Sequence, residues 1–178
     1  RLISKSTAHT DRVIFARFAP DGKTFFTTSW DHTLKIWDAG TGKLLTDING
    51  FSSEIRSADY SPDGKTIATG CYNSNVQLWD AVSGGLLVSY TGHTNPVWTV
   101  RFSPDGKQLL TAGGWDRTAR LWHVATGELQ RSFTSEAFNV STAEFSPDGR
   151  KIVAATDEKA ALVWNAVSGG VLTSLQGQ

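Results

Sequence analysis

The chain repeats itself every 42 or 43 residues, and that period constrains its fold more than any other feature. The segments FAPDGK, YSPDGK, FSPDGK and FSPDGR begin at Phe18, Tyr60, Phe102 and Phe145. Trp37, Trp79, Trp122 and Trp164 run in phase with them, and a glycine follows each tryptophan by five residues (Gly42, Gly84, Gly127, Gly169). Three markers on one period identify a tandem array. A single unit this short cannot bury enough surface to offset a chain entropy of roughly 1–2 kcal/mol per residue, so the units must stack.

Each unit reads as four short strands separated by turns. In the third, PVWTVRF has the β-branched and aromatic content of a strand, and SPDG turns the chain. Proline presets φ at the second turn position, and Gly106 is free to adopt the left-handed conformation. QLLTA and TARLW follow as second and third strands, ATGE as another turn and LQRSF as the fourth strand. Helical spacing of apolar residues is not sustained, so the fold class is all-β. QLLTA and KIVAA place apolar residues consecutively, as strands of sheets covered on both faces do. A ring of face-to-face, four-stranded antiparallel sheets meets that requirement: a β-propeller. The repeats are expected at 7–48, 49–91, 92–134 and 135–178, with 1–6 as the outer strand of a further blade.

Composition narrows the function. Lys plus Arg and Asp plus Glu both number 17, for zero net charge, so the local cationic excess of a dedicated nucleic-acid binder is missing. No apolar run is long enough to span a membrane. Cys71 is the only cysteine, which excludes intrachain disulfides and multi-thiolate metal sites and fits a reducing compartment such as the cytoplasm. His9, His32, His93 and His123 have no ligand-like spacing, and neither a metal nor a cofactor is expected. AGTGK at Ala39–Lys43 echoes a phosphate loop but lacks its first glycine and the hydroxyl residue after Lys43. The acceptor pattern NVS at Asn139 is too short to carry weight.

The period, the SPDG turn, the Gly92-His93 pair and the LKIWD and VQLWD endings together resemble the WD-repeat propeller family, over essentially the whole chain. The resemblance implies a sensor or scaffold module without catalysis. It also implies a buried network in each blade, running from a tryptophan indole through a serine or threonine hydroxyl and a histidine to an aspartate. Counted back from the tryptophan, the first repeat supplies Trp37, Ser29, His9 and Asp31. The third supplies Trp122, His93 and Asp116, with Gly114 in the hydroxyl's place. The second offers Trp79, Cys71, Phe51 and Asn73, the fourth Trp164, Thr156, Glu136 and Glu158. Ser29, His9 and Asp31 are also the parts of an activated nucleophile. A catalytic set would not recur as partial copies locked to the fold's period, and the structural reading is preferred to a propeller enzyme.

The remaining tryptophans point to a partner. Trp30, Tyr72 and Trp115 share one register, in the loop between second and third strands, where the fourth repeat has Asp157. Trp98 takes a register held elsewhere by Ile14, Arg56 and Ser141. Aromatic rings at loop tips bury large area at small entropic cost, so these residues, with Arg56 and Glu54, are candidates for binding a protein or peptide. The competing reading packs them into the seam between blades. Assembly is a separate question. RLISKS aligns with the outer strand KLLTDI, giving five outer strands to four inner triplets, and VLTSLQGQ ends in Gly177-Gln178, where another repeat would begin. Seven blades, the family's usual number, would place about three outside this chain. The alternative is a homo-oligomer formed through open blade edges, two chains closing an eight-bladed ring.

Overall fold

The computed structural model describes residues 8–135, 139–157 and 160–176; the expected strand at 1–6, Glu136, Glu158 and Gly177-Gln178 lie outside these residues. Four antiparallel sheets of four strands follow one another along the described chain. Blade 1 holds β1 (Val13–Phe18), β2 (Thr24–Ser29), β3 (Leu34–Asp38) and β4 (Leu44–Ile48). Blade 2 holds β5 (Ile55–Tyr60), β6 (Thr66–Cys71), β7 (Val76–Asp80) and β8 (Leu86–Tyr90). Blade 3 holds β9 (Val97–Phe102), β10 (Gln108–Gly113), β11 (Thr118–His123) and β12 (Leu129–Thr134), with a 3-10 turn at Gly114–Asp116 between β10 and β11. Blade 4 holds β13 (Val140–Phe145), β14 (Lys151–Thr156), β15 (Ala160–Asn165) and β16 (Val171–Gln176).

The hydrophobic cores lie between the blades. Phe26, Leu34 and Ile36 of blade 1 pack on Ile55, Tyr60, Ile67 and Trp79 of blade 2. Ala68, Val76 and Leu78 of blade 2 pack on Val97, Val100, Leu109 and Trp122 of blade 3. Leu110, Leu121 and Phe133 of blade 3 pack on Val140, Ile152 and Trp164 of blade 4. This is why QLLTA does not alternate: Leu109 and Leu110, on opposite faces, enter cores on opposite sides. KIVAA differs from the expectation, because only the face with Ile152 and Ala154 is buried and Val153 is exposed. Each fully buried Leu, Ile or Phe contributes about 1.5–3 kcal/mol, and none of that is available to a blade without a neighbour.

Polar stitches run along the outer rim. Thr46 Oγ1 donates to Val82 O (3.1 Å), Tyr90 Oη to Val124 O (2.8 Å) and Arg131 Nη1 to Ser168 O (3.0 Å), each from an outer strand to the next blade's last turn. Those turns carry the glycines five residues after the tryptophans. Gly84, Gly127 and Gly169 have φ of +71°, +73° and +79°, and a Cβ there would press on Thr46, Val88 and Arg131 of the preceding blade. The glycine marker therefore records both a left-handed turn and a close blade-to-blade approach. Among the described residues no helix is long and apolar enough to cross a membrane, which bears on helices alone.

Candidate functional site

Two buried networks fix the loops at one end of the blades. In blade 1 the Trp37 indole N–H donates to Thr27 Oγ1 (2.8 Å), His9 Nε2 lies 2.7 Å from the same oxygen, and His9 Nδ1 lies 2.8 Å from Asp31 Oδ2. Because Thr27 accepts from the indole, its own proton is free to donate to Nε2, leaving Nδ1–H for the carboxylate. Blade 3 repeats the chain with Trp122, Thr111, His93 and Asp116 at 2.8, 2.7 and 2.5 Å. Burial opposes ionisation of Asp31 and Asp116, but their hydrogen bonds prevail. Thr33, the Thr10 N–H and His9 hold the Asp31 carboxyl well below its usual range, and His93 with Thr118 lowers that of Asp116.

The hydroxyl assignment from sequence is corrected here. Ser29 Oγ accepts the Asp31 N–H (3.1 Å) inside the tight turn, and the network hydroxyl is Thr27, two residues earlier on the same face of β2. Gly114 does not break the third network, because its hydroxyl is Thr111. Blade 2 keeps the indole bond, Trp79 Nε1–H to Thr69 Oγ1 (3.0 Å), and places the Phe51 ring 4.8 Å from the Trp79 ring where blades 1 and 3 have histidine. In blade 4 the corresponding residue is Ala154, which has no hydroxyl. The one cysteine does not add a nucleophile: Cys71 is buried, and desolvation pushes its thiol up to about 12. Among the described residues no group of three His, Cys, Asp or Glu is arranged to hold a metal ion.

At this end of the blades, the four aromatic candidates all retain open surface: Trp98 is 37 % exposed, Trp30 39 %, Tyr72 44 % and Trp115 56 %. Arg56 joins two of them. Its guanidinium carbon lies 5.0 Å from the Tyr72 ring and 5.3 Å from the Trp98 ring, and Nη2 reaches Glu54 Oε2 at 2.7 Å. Trp98 meets Trp115 edge to face, centroids 6.4 Å apart at 74°. Tyr72, Arg56, Trp98 and Trp115 thus form one continuous stack from blade 2 to blade 3, while Trp30 pairs separately with Arg12 (5.3 Å).

The matched register of the three tips needs a refinement. The backbone N–H of Trp30, Tyr72 and Asp157 bonds the carbonyl of the residue two before the inner-strand aromatic or its equivalent, at Arg12, Glu54 and Asn139; in blade 3 Gly114 makes that bond, to Pro96. Trp115 is the extra residue of the longer third repeat, raised on the 3-10 turn, which accounts for its greater exposure. The double glycine before it is required twice. A Cβ on Gly113 would collide with the His93 ring and the Asp116 carboxylate, and a Cβ on Gly114 with the Trp98 indole.

A second concavity escaped the sequence reading. Inner-strand residues Arg17, Asp59, Arg101 and Glu144 alternate in charge around a hollow of about 360 Å³ at the opposite, SPDG-turn end. Arg17 Nη1 lies 3.0 Å from Asp59 Oδ1, and Asp59 Oδ2 accepts the Phe102 N–H of the next blade (3.0 Å). Burial raises the Asp59 pKa, an effect that the Phe102 N–H, Arg17 and Arg101 only partly counter. The signal was present: a charged residue directly precedes the aromatic of all four turn motifs, as RF, DY, RF and EF.

Comparison with curated proteins gave no match. The sequence model described as WD domain, G-beta repeat matches residues 1–38, 42–80, 84–123 and 127–165. The last three matched units each run from an outer strand through the third strand of the following sheet, so the sequence repeat straddles two blades. Repeats of this kind generally mediate protein–protein interaction. With four consecutive matches over most of its length and four sheets built to their pattern, the chain belongs to the WD domain, G-beta repeat (WD40) family.

Proposed function

We propose that this chain is a non-catalytic interaction module that holds a protein or peptide on its loop face through Trp30, Tyr72, Trp98, Trp115 and Arg56. The observation that carries the reading is the stack of Tyr72, Arg56, Trp98 and Trp115: large rings, partly exposed, at the loop end of blades 2 and 3, the second of which carries a full buried network. Rigid aromatic anchors with a guanidinium among them are the composition of interface hot spots. The histidine–aspartate pairs serve the networks, which supports a role without catalysis. The lone, buried cysteine supports the cytoplasm as its compartment.

Replacing Trp30 and Trp115 by serine tests the reading. Exposed positions of this kind alter stability by about 0.5 kcal/mol or less. We expect nearly unchanged melting together with loss of the partners that the wild-type chain captures from cell extract. A large drop in melting temperature would place the rings in the blade seam instead.

Open blade faces favour a second reading, closure of an eight-bladed ring by two copies. Phe18 is 63 % exposed, while its counterparts Tyr60, Phe102 and Phe145 are 5, 8 and 9 % exposed against a preceding blade. At the other end Val153 is exposed where Phe26, Ala68 and Leu110 are fully buried. Head-to-tail pairing would bring these two faces together.

A further inference from the structure

The loop face uses one local chemistry more than once. In blade 2 a guanidinium lies between two rings and against a carboxylate: Arg56 between Tyr72 and Trp98, bonded to Glu54. In blade 1 the Arg12 guanidinium lies over Trp30. Among the described residues, the next slot, between blades 3 and 4, has the rings and the carboxylate without the cation. Trp98 and Trp115 form one wall of a hollow of about 260 Å³, Gly114 and Ser141 contribute to its lining, and Asn139 and Asp157 complete it. Among the described residues no lining residue is basic and Asp157 has no ion pair.

We propose that this slot binds a cationic side chain of the partner, an ammonium or guanidinium on an alkyl stem, as lysine, methylated lysine and arginine present it. The inference rests on the interaction reading above and specifies the chemistry of one contact in it. Three features prepare the slot. The Trp98 indole lies so close to the Gly114 backbone that any side chain there would displace it, so this wall depends on the glycine. The Asp157 carboxylate is oriented by the Asn139 backbone N–H (3.2 Å) and by Asn139 Nδ2 (2.6 Å). Those two bonds leave lone pairs on both oxygens for a further donor. A cation entering here meets indole rings and a carboxylate together, which replaces the hydration it loses.

The test is a titration of the isotope-labelled chain with three blocked amino acids: Nα-acetyl-arginine amide, Nα-acetyl-trimethyl-lysine amide and Nα-acetyl-norleucine amide. The indole N–H resonances of Trp98 and Trp115 report binding. We expect saturable shifts of both with the cationic probes and about tenfold weaker binding of norleucine, the uncharged stem. Asp157→Asn should reduce the cationic probes to the norleucine level without changing the melting temperature. Trp115→Leu, which keeps an apolar wall but removes the ring, should weaken the cationic probes more than norleucine. Norleucine binding as tightly as the cations, or cation binding indifferent to Asp157→Asn, would overturn the proposal. If none of the probes shifts either indole while partner capture still depends on Trp30 and Trp115, the slot assignment falls and the interaction reading stands. Loss of both overturns both.

Discussion

At the scale of single residues, the decisive atoms are two threonine hydroxyls that each serve a tryptophan and a histidine at once. Thr111 is fully buried and Thr27 partly so, and each is the only oxygen linking its indole to its imidazole. Removing such a hydroxyl orphans an N–H and a ring nitrogen, at about 1–3 kcal/mol for each group that burial keeps from water. Ser29 accepts one backbone N–H, an exchange worth only about 1 kcal/mol. Thr27→Val should therefore lower the melting temperature more than Ser29→Ala in the same blade, at roughly 2–4 °C per kcal/mol for a chain of this size. Thr111→Val should repeat the larger effect. Circular dichroism melting checks the order; equal losses for Thr27→Val and Ser29→Ala would return Ser29 to the network.

At the scale of elements, the same pattern is executed with graded completeness. Blades 1 and 3 carry full networks, blade 2 keeps the indole bond and substitutes a ring contact for the histidine, and blade 4 has Ala154 where the hydroxyl should be. Loop ends tied by several cooperating bonds open less often than those tied by one. Native-state hydrogen exchange should accordingly protect the β10–β11 turn most and the β14–β15 turn least, with the β6–β7 turn between them. Uniform protection across the blades would mean that packing, and not the networks, holds the loops. Blade spacing is also set at this level. Gly70 admits Val97 and Val100 of the next blade, with no space for a Cβ, whereas Phe26 occupies the corresponding seam between blades 1 and 2 and meets the Tyr60 ring at 5.2 Å.

At the scale of the whole molecule, the two end blades differ from the two middle ones in what they leave uncovered. Apolar side chains that are core in blades 2 and 3 are exposed on the outer faces of blades 1 and 4 at Phe18 and Val153 and half-buried at Phe25. Contiguous apolar area of this kind is an association surface. Native mass compared with denatured mass reads the outcome directly. A denatured chain of 19.3 kDa running natively as a dimer supports the eight-bladed ring, and Phe18→Glu should then return it to monomer. A 19.3 kDa monomer that Phe18→Glu leaves unchanged would rule the ring out.

The period alone determined the class of fold, because a turn motif, a tryptophan and a glycine repeating together leave few architectures that bury all of them. The glycine marker was legible as a turn, and the charged residue before each turn aromatic was there to be read. Which hydroxyl enters the network was not: Thr27 and Ser29 lie on one face of one strand, two residues apart, and only the placement of the Trp37 ring from the neighbouring strand chooses between them. The added residue in the third repeat shifted the count in the same way, hiding Thr111 behind Gly114 and giving Trp115 an apparent equivalence that its backbone does not keep. The sequence likewise nominated Trp98 and Trp115 separately. That they form one wall with Asp157 opposite depends on residues 59 positions apart meeting across a blade boundary, a proximity that only the stacking of sheets creates.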